Sequence, residues 1–118
     1  MPAILTPART GFVSILDPGV PDTAHWRGAA LGKPYVYDNT AVDGYYYLYF
    51  TSLKWSAALD NWYECVGVAR STALDGPYTY LNGDAPILEP TLVAADWNGL
   101  NVSCGCVVDN PNYNATSL

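Results

Sequence analysis

The sequence predicts an all-β fold, and three observations carry that expectation. Ten Tyr and four Trp stand among ten Gly and nine Pro in 118 residues, the residue types that fill strands and tight turns. Glu, Lys, Gln and Met, the straight-chain helix formers, are nearly absent, and no segment keeps a helical apolar period. Short aromatic or β-branched runs are separated by Asp-Gly and Gly-Pro turn signals along the chain.

The elements follow in order. Gly32 admits a first apolar-aromatic run over residues 33–38. Asp43-Gly44 then marks a turn that feeds Tyr45-Tyr46-Tyr47-Leu48-Tyr49-Phe50-Thr51, the second strand. The third covers residues 63–70, where alternation sets Cys65, Gly67 and Ala69 on one face and Glu64, Val66, Val68 and Arg70 on the other. That small face would let a neighbouring sheet approach closely. Asp75-Gly76-Pro77 is the next turn, and a fourth strand opens over 78–81 and resumes over 85–88. Residues 33–88 therefore read as one four-stranded antiparallel unit.

An internal repeat places this unit in a larger scheme. Ile15-Leu16-Asp17-Pro18 returns as Ile87-Leu88-Glu89-Pro90, shifted by 72 residues. Trp26-Arg27-Gly28 returns as Trp97-Asn98-Gly99, and Val36-Tyr37-Asp38-Asn39 as Val107-Val108-Asp109-Asn110, both shifted by 71. Such repeats are stacked supersecondary units, none of which buries its faces alone. The expected arrangement is part of a β-propeller: residues 12–16 as the last strand of a preceding blade, 33–88 as one blade, and 104–108 as the first strand of a following one. That is about one and two-thirds blades, where propellers need roughly 4–8. A piece of a larger protein explains the shortfall better than assembly between chains.

Composition removes several function classes. Eleven acidic residues against five basic ones give a net charge of −6, and the cations Arg9, Arg27, Lys33, Lys54 and Arg70 are scattered. A nucleic-acid partner needs a clustered basic face, so none is expected. No apolar run reaches the length of a membrane span, and no signal-peptide pattern opens the chain. His25 is the single histidine, Cys104-Gly105-Cys106 is too tight for the usual zinc spacing, and no ligand cluster suggests a metal or other cofactor. Nucleophile-elbow and phosphate-loop patterns are absent.

Two stretches then carry a family resemblance. Lys33-Pro34-Tyr35-Val36, followed by Asp43-Gly44-Tyr45-Tyr46-Tyr47-Leu48-Tyr49-Phe50, resembles the innermost and second strands of a five-bladed propeller glycosidase. Glu64-Cys65-Val66-Gly67-Val68-Ala69-Arg70-Ser71, with Asp75-Gly76-Pro77-Tyr78-Thr79, resembles a signature of fungal members of glycoside hydrolase family 43. The likeness covers residues 32–110, and its motifs are structural ones shared loosely with levansucrases and invertases. It implies hydrolysis of O-glycosyl bonds in arabinan- or xylan-type polysaccharide, a carbohydrate partner and an extracellular setting. Family members invert configuration with an Asp base and a Glu acid, held about 6.5–9.5 Å apart so that a water fits between. Here Lys33 precedes Pro34, and Cys104 fills the slot of the family's pKa-tuning Asp. The expectation is a fragment or truncated form without the full catalytic set, and the alternative is a non-catalytic sugar-binding or protein-contact segment.

Individual residues are weighed on that basis. Asp17, in an Asp-Pro pair like the family's base, is the one catalytic candidate, although its repeat partner Glu89 favours a strand-end turn. Lys33 and Tyr35, on the innermost strand, are expected to line an axial pocket. Trp26, Trp55 and Trp62 are candidates for sugar contact, because aromatic faces match the C–H faces of pyranose rings. Core packing is the competing expectation for Trp26 and Trp97, since both recur. Glu64 should be structural, its carboxylate in solvent or paired with Arg70. Asp38 and Asp109 should cap turns, and Cys65, Cys104 and Cys106 should be small apolar packers.

Overall fold

The computed structural model describes residue 16 and residues 25–99 and 101–109. Asp17 and residues 12–15, with the expected preceding strand, lie outside the described residues. The elements are β1 (Ala30–Asp38), α1 (Thr40–Asp43), β2 (Tyr46–Ser56), β3 (Asn61–Ser71) and β4 (Thr79–Tyr80). They form one sheet in the order β1-β2-β3-β4, each strand antiparallel to its neighbour. The described chain is therefore all-β apart from the single turn α1.

That turn has a local cause. Asp38 Oδ1 accepts the Thr40 backbone N–H at 2.9 Å and the Thr40 hydroxyl at 2.6 Å. Gly44, at φ +82°, then closes the turn in the left-handed region, its N–H donating to the Thr40 carbonyl at 3.1 Å. Four residues are too few to write a helical period, so the turn leaves no periodic trace in the sequence.

β2 and β3 pair without a slip from Tyr46↔Ser71 to Ser56↔Asn61, and this register decides both faces of the sheet. Leu48↔Ala69, Phe50↔Gly67 and Ser52↔Cys65 share one face. Tyr49↔Val68, Thr51↔Val66, Leu53↔Glu64 and Trp55↔Trp62 share the other.

The Phe50 face is the core. Leu48, Phe50, Tyr63, Cys65, Ala69 and Tyr78 are buried there with Trp26, and Leu16 packs against them. Trp26 stacks on Phe50 at 5.9 Å between ring centroids and meets Tyr80 edge-on at 6.2 Å. What the small face of β3 admits is thus an indole: a Cβ on Gly67 would lie 2.4 Å from Phe50 and 2.7 Å from Trp26. The turn that presents Trp26 is bolted down. Trp26 Nε1–H donates to the Asp84 carbonyl at 2.8 Å, and Arg27 makes two bonds to the Asp84 carboxylate, at 2.7 and 2.9 Å.

The outer edge of β3 is closed in stages. β4 is short, and its ladder ends as Leu81 N–H donates to the Val68 carbonyl at 3.0 Å. Asn82, Gly83 and Asp84 then take positive φ and swing the chain out to meet Trp26 and Arg27. It returns as Val66 N–H donates to the Leu88 carbonyl at 2.9 Å, an isolated bridge where the sequence has the fourth strand resume. Finally Val102 N–H donates to the Glu64 carbonyl at 3.3 Å.

From there residues 101–109 cross the Thr51 face as a strap. Cys104 N–H donates to Thr51 Oγ1 at 2.8 Å, and the Tyr37 hydroxyl donates to Asp109 Oδ1, so the strap runs from β3 over β2 to β1. Residues 104–108, expected as a strand, are irregular and carry no ladder pairing among the described residues. Their anchors are side chains of the sheet below.

Trp97 corrects a second expectation. It is 91% exposed, whereas its repeat partner Trp26 is 6% exposed. The turns themselves match. Gly28 N–H donates to the His25 carbonyl at 3.0 Å, and Gly99 N–H donates to the Asp96 carbonyl at 3.0 Å, one repeat later.

Candidate functional site

The Thr51 face carries most of the residues singled out in the sequence, three of them at its open end. Its first member arrives through a distortion of β1. The β1–β2 register shifts between Gly32 and Tyr35, and Lys33 sits in the bulge at φ +48°. A bulge re-aims a side chain that regular pleating would direct elsewhere. Lys33 Nζ reaches across β2 to the Glu64 carboxylate on β3, 3.0 Å from Oε1 and 3.2 Å from Oε2.

This pair corrects the expected partner of Glu64. Arg70 stands six residues along the same strand, roughly 20 Å away at about 3.3 Å per residue. Its guanidinium instead covers the Tyr45 ring at 4.1 Å from the centroid. Glu64 is also fixed from its backbone, whose N–H donates to Asn101 Oδ1 at 2.9 Å. Ala30, Leu31, Gly32, Thr51 and Leu53 complete the walls of a small cleft, about 130 Å³, around Lys33 and Glu64.

The next pair along the hairpin is Trp55↔Trp62, on the same face as Leu53↔Glu64. Two residues of strand separate them, so the tryptophans lie about 7 Å beyond the charged pair. Their rings meet edge to face at 5.1 Å, tilted by 68°, and Trp62 is 42% exposed. The edge-on contact props one indole against the other. Tyr35, half-buried on β1, is opposite Tyr49 and also belongs to this face.

Lys33, Tyr35, Trp55 and Trp62 therefore share one surface of the sheet. Trp26 is on the opposite face and buried, which makes it a core residue rather than a contact for a ligand. Asp17 is outside the described residues. Glu64 as the partner of Lys33, and Asn101 as the anchor beneath it, were not singled out as site residues. Only the register and the bulge bring them together.

The titrating groups away from this end are committed to structure. The Thr40 hydroxyl holds the Asp38 carboxyl below its usual range, and the Tyr47 hydroxyl does the same for Asp43. Arg27 lowers Asp84 in the same way. A general acid for a glycosidic oxygen needs the opposite shift. Tyr37 is pushed up to about 12 by its bond to Asp109, and burial pushes the Cys65 thiol up to about 11. Cys104 is raised by burial, then by the neighbouring Cys106. Among the described residues no three His, Cys, Asp or Glu side chains cluster closely enough to hold a metal ion.

Comparison with known proteins returns no matching family, no matching curated protein and no matching solved structure.

Proposed function

We propose that this chain is a section of a carbohydrate-active five-bladed propeller of the glycoside hydrolase family 43 type. Its own contribution is to bind a sugar rather than to supply a complete acid–base pair. The observation that carries this reading is the open end of the Thr51 face. There an exposed indole stands beside a lysine and a carboxylate already held in place by each other. Stacking of a sugar's C–H face on Trp62, with hydroxyls donating to Glu64 and accepting from Lys33, uses each group for the chemistry it offers.

The propeller part of the reading draws on how the sheet is covered. Leu16 packs on the Phe50 face and residues 101–109 cross the Thr51 face, so sequence from either side of the unit lies on opposite faces. Successive units of a repeat protein stack in that manner. The parent reaction, inverting hydrolysis, needs an acid and a base on either side of the bond. Glu64 is tied to Lys33, and Asp38, Asp43 and Asp84 are held low by donors, which leaves none of them set up as the acid.

Titration of the chain with arabino- and xylo-oligosaccharides, followed by calorimetry, tests the proposal. Saturable binding that Trp62→Ala abolishes supports it, together with no turnover of nitrophenyl arabinofuranoside or xyloside. The exposed Trp97 favours a second reading, a segment used for protein contact alone, and that reading expects no sugar binding at all.

A further inference from the structure

The sharpest contrast in the molecule is between Trp26 and Trp97. Both stand second in a four-residue turn closed by the same backbone hydrogen bond, one repeat of 71 residues apart. The glycine that ends each turn is kept, and at Gly99 a Cβ would lie 2.0 Å from the Val93 carbonyl oxygen. The second turn is therefore as firmly shaped as the first, and Thr91 N–H braces it by donating to the Asn98 carbonyl at 3.1 Å. Yet Trp26 enters a socket made by Phe50, Gly67, Tyr80 and the Asp84 carbonyl, while Trp97 makes no ring contact among the described residues.

One exposed indole alone marks nothing, but this one stands on a turn whose counterpart one repeat earlier seats its indole on the ring of the sheet that follows it. We propose that Trp97 is the plug for a further unit of this same repeat. Its partner is a four-stranded antiparallel sheet that offers an aromatic ring opposite a glycine on neighbouring strands. The socket's chemistry is given by the Trp26 site: a ring to stack on, a glycine to make room, and a backbone carbonyl to accept the indole N–H. A second folded copy of this chain does not fill the role, because its own Trp26 already occupies its only socket of this kind among the described residues. The strap agrees with this direction. Residues 104–109 leave the Trp97 turn and cross the Thr51 face, where the first strand of a stacked unit would run. The inference concerns assembly and stands whether or not the chain meets a sugar.

The test lengthens the chain by one repeat and keeps every native residue. A second copy of residues 33–103 is inserted after Ser103, so that the inserted sheet receives Trp97 where the first sheet receives Trp26. The protein is labelled with 5-fluorotryptophan, and ¹⁹F resonances are assigned by Trp97→Phe substitution in either copy. Broadening by a soluble paramagnetic chelate then reads exposure, with no sugar present. In the parent chain Trp97 is broadened fully. In the lengthened chain the first Trp97 should lose its broadening several-fold, to the level of Trp26, while the second stays exposed. Gly67→Ala in the inserted copy sets a methyl against the seated indole, as it would at Trp26, and should shift the ¹⁹F resonance of the first Trp97 while leaving the second in place. Equal broadening of both Trp97 residues overturns the proposal. So does an inserted unit that fails to fold, because Trp97 has then not served in place of Trp26. A first Trp97 resonance that is protected but does not move on Gly67→Ala in the inserted copy overturns it as well, since the indole is then buried somewhere else.

Discussion

Gly67→Ala is the most discriminating single change in the sheet. The added methyl would stand 2.4 Å from Phe50 Cζ and 2.7 Å from both Phe50 Cε2 and Trp26 Cη2. Those rings are 1% and 6% exposed and stack on one another at 5.9 Å, so neither can swing into water. Overpacking of this kind costs about 1–3 kcal/mol. For a domain of this size that corresponds to a fall in Tm of roughly 5–20 °C. Urea unfolding followed by tryptophan fluorescence measures the loss directly, and Gly32→Ala is the control, because a Cβ there meets nothing within 4 Å. Phe50→Leu removes the ring atoms nearest the new methyl. In the Gly67→Ala background it should cost less than it does alone, with a coupling above about 0.5 kcal/mol. Equal stability of Gly67→Ala and Gly32→Ala would refute the packing argument for the Trp26 socket.

Other expectations follow from the same geometry. Trp26→Ala should cost about 3–5 kcal/mol, whereas Trp97→Ala should stay within about 0.5 kcal/mol; chemical denaturation of the two variants decides. Lys33→Ala should change stability by less than about 1 kcal/mol, since the pair is partly exposed, but should weaken oligosaccharide binding in a calorimeter. Arg27 lowers the Asp84 carboxyl, so the stability from this pair is present above the unfolded value near ~3.9 and is lost as pH falls through the lower folded value. Asp84→Asn should therefore flatten the acid limb of a stability–pH profile. Tyr37, raised to about 12, contributes stability below the unfolded tyrosine value and loses it as pH climbs through the folded one. Tyr37→Phe should remove a late-titrating phenol from an absorbance titration. Burial and a pKa near 11 should make Cys65 the slowest thiol toward a disulfide reagent, well behind the exposed Cys106.

The sequence is a good guide to the strands and a poor one to what crosses them. Runs such as 45–51 and 63–70 are legible because aromatic and β-branched residues alternate between turn signals, and Gly67 stands out as a gap in an apolar face. The face that Gly67 belongs to is legible too, although its visitor is Trp26 rather than a second sheet. The pairing of Lys33 with Glu64 depends on a bulge and on two successive registers, and a one-residue slip in either would separate them. The rise along β3 sets Arg70 roughly 20 Å from Glu64, so strand geometry by itself keeps those two apart. The repeat correctly links the turns at Trp26 and Trp97, but a local turn carries no information about whether a sheet lies opposite it. Hence Trp97, expected in a core, is on the surface.

The most direct test of the functional account is an NMR titration of the intact chain with xylo- and arabino-oligosaccharides, following the indole N–H signals. The account expects saturable shifts at Trp62 and Trp55, none at buried Trp26, and their loss on Trp62→Ala with the fold intact. No shift at any tryptophan with either sugar series, or shifts centred on Trp97 that Trp62→Ala leaves unchanged, would contradict it.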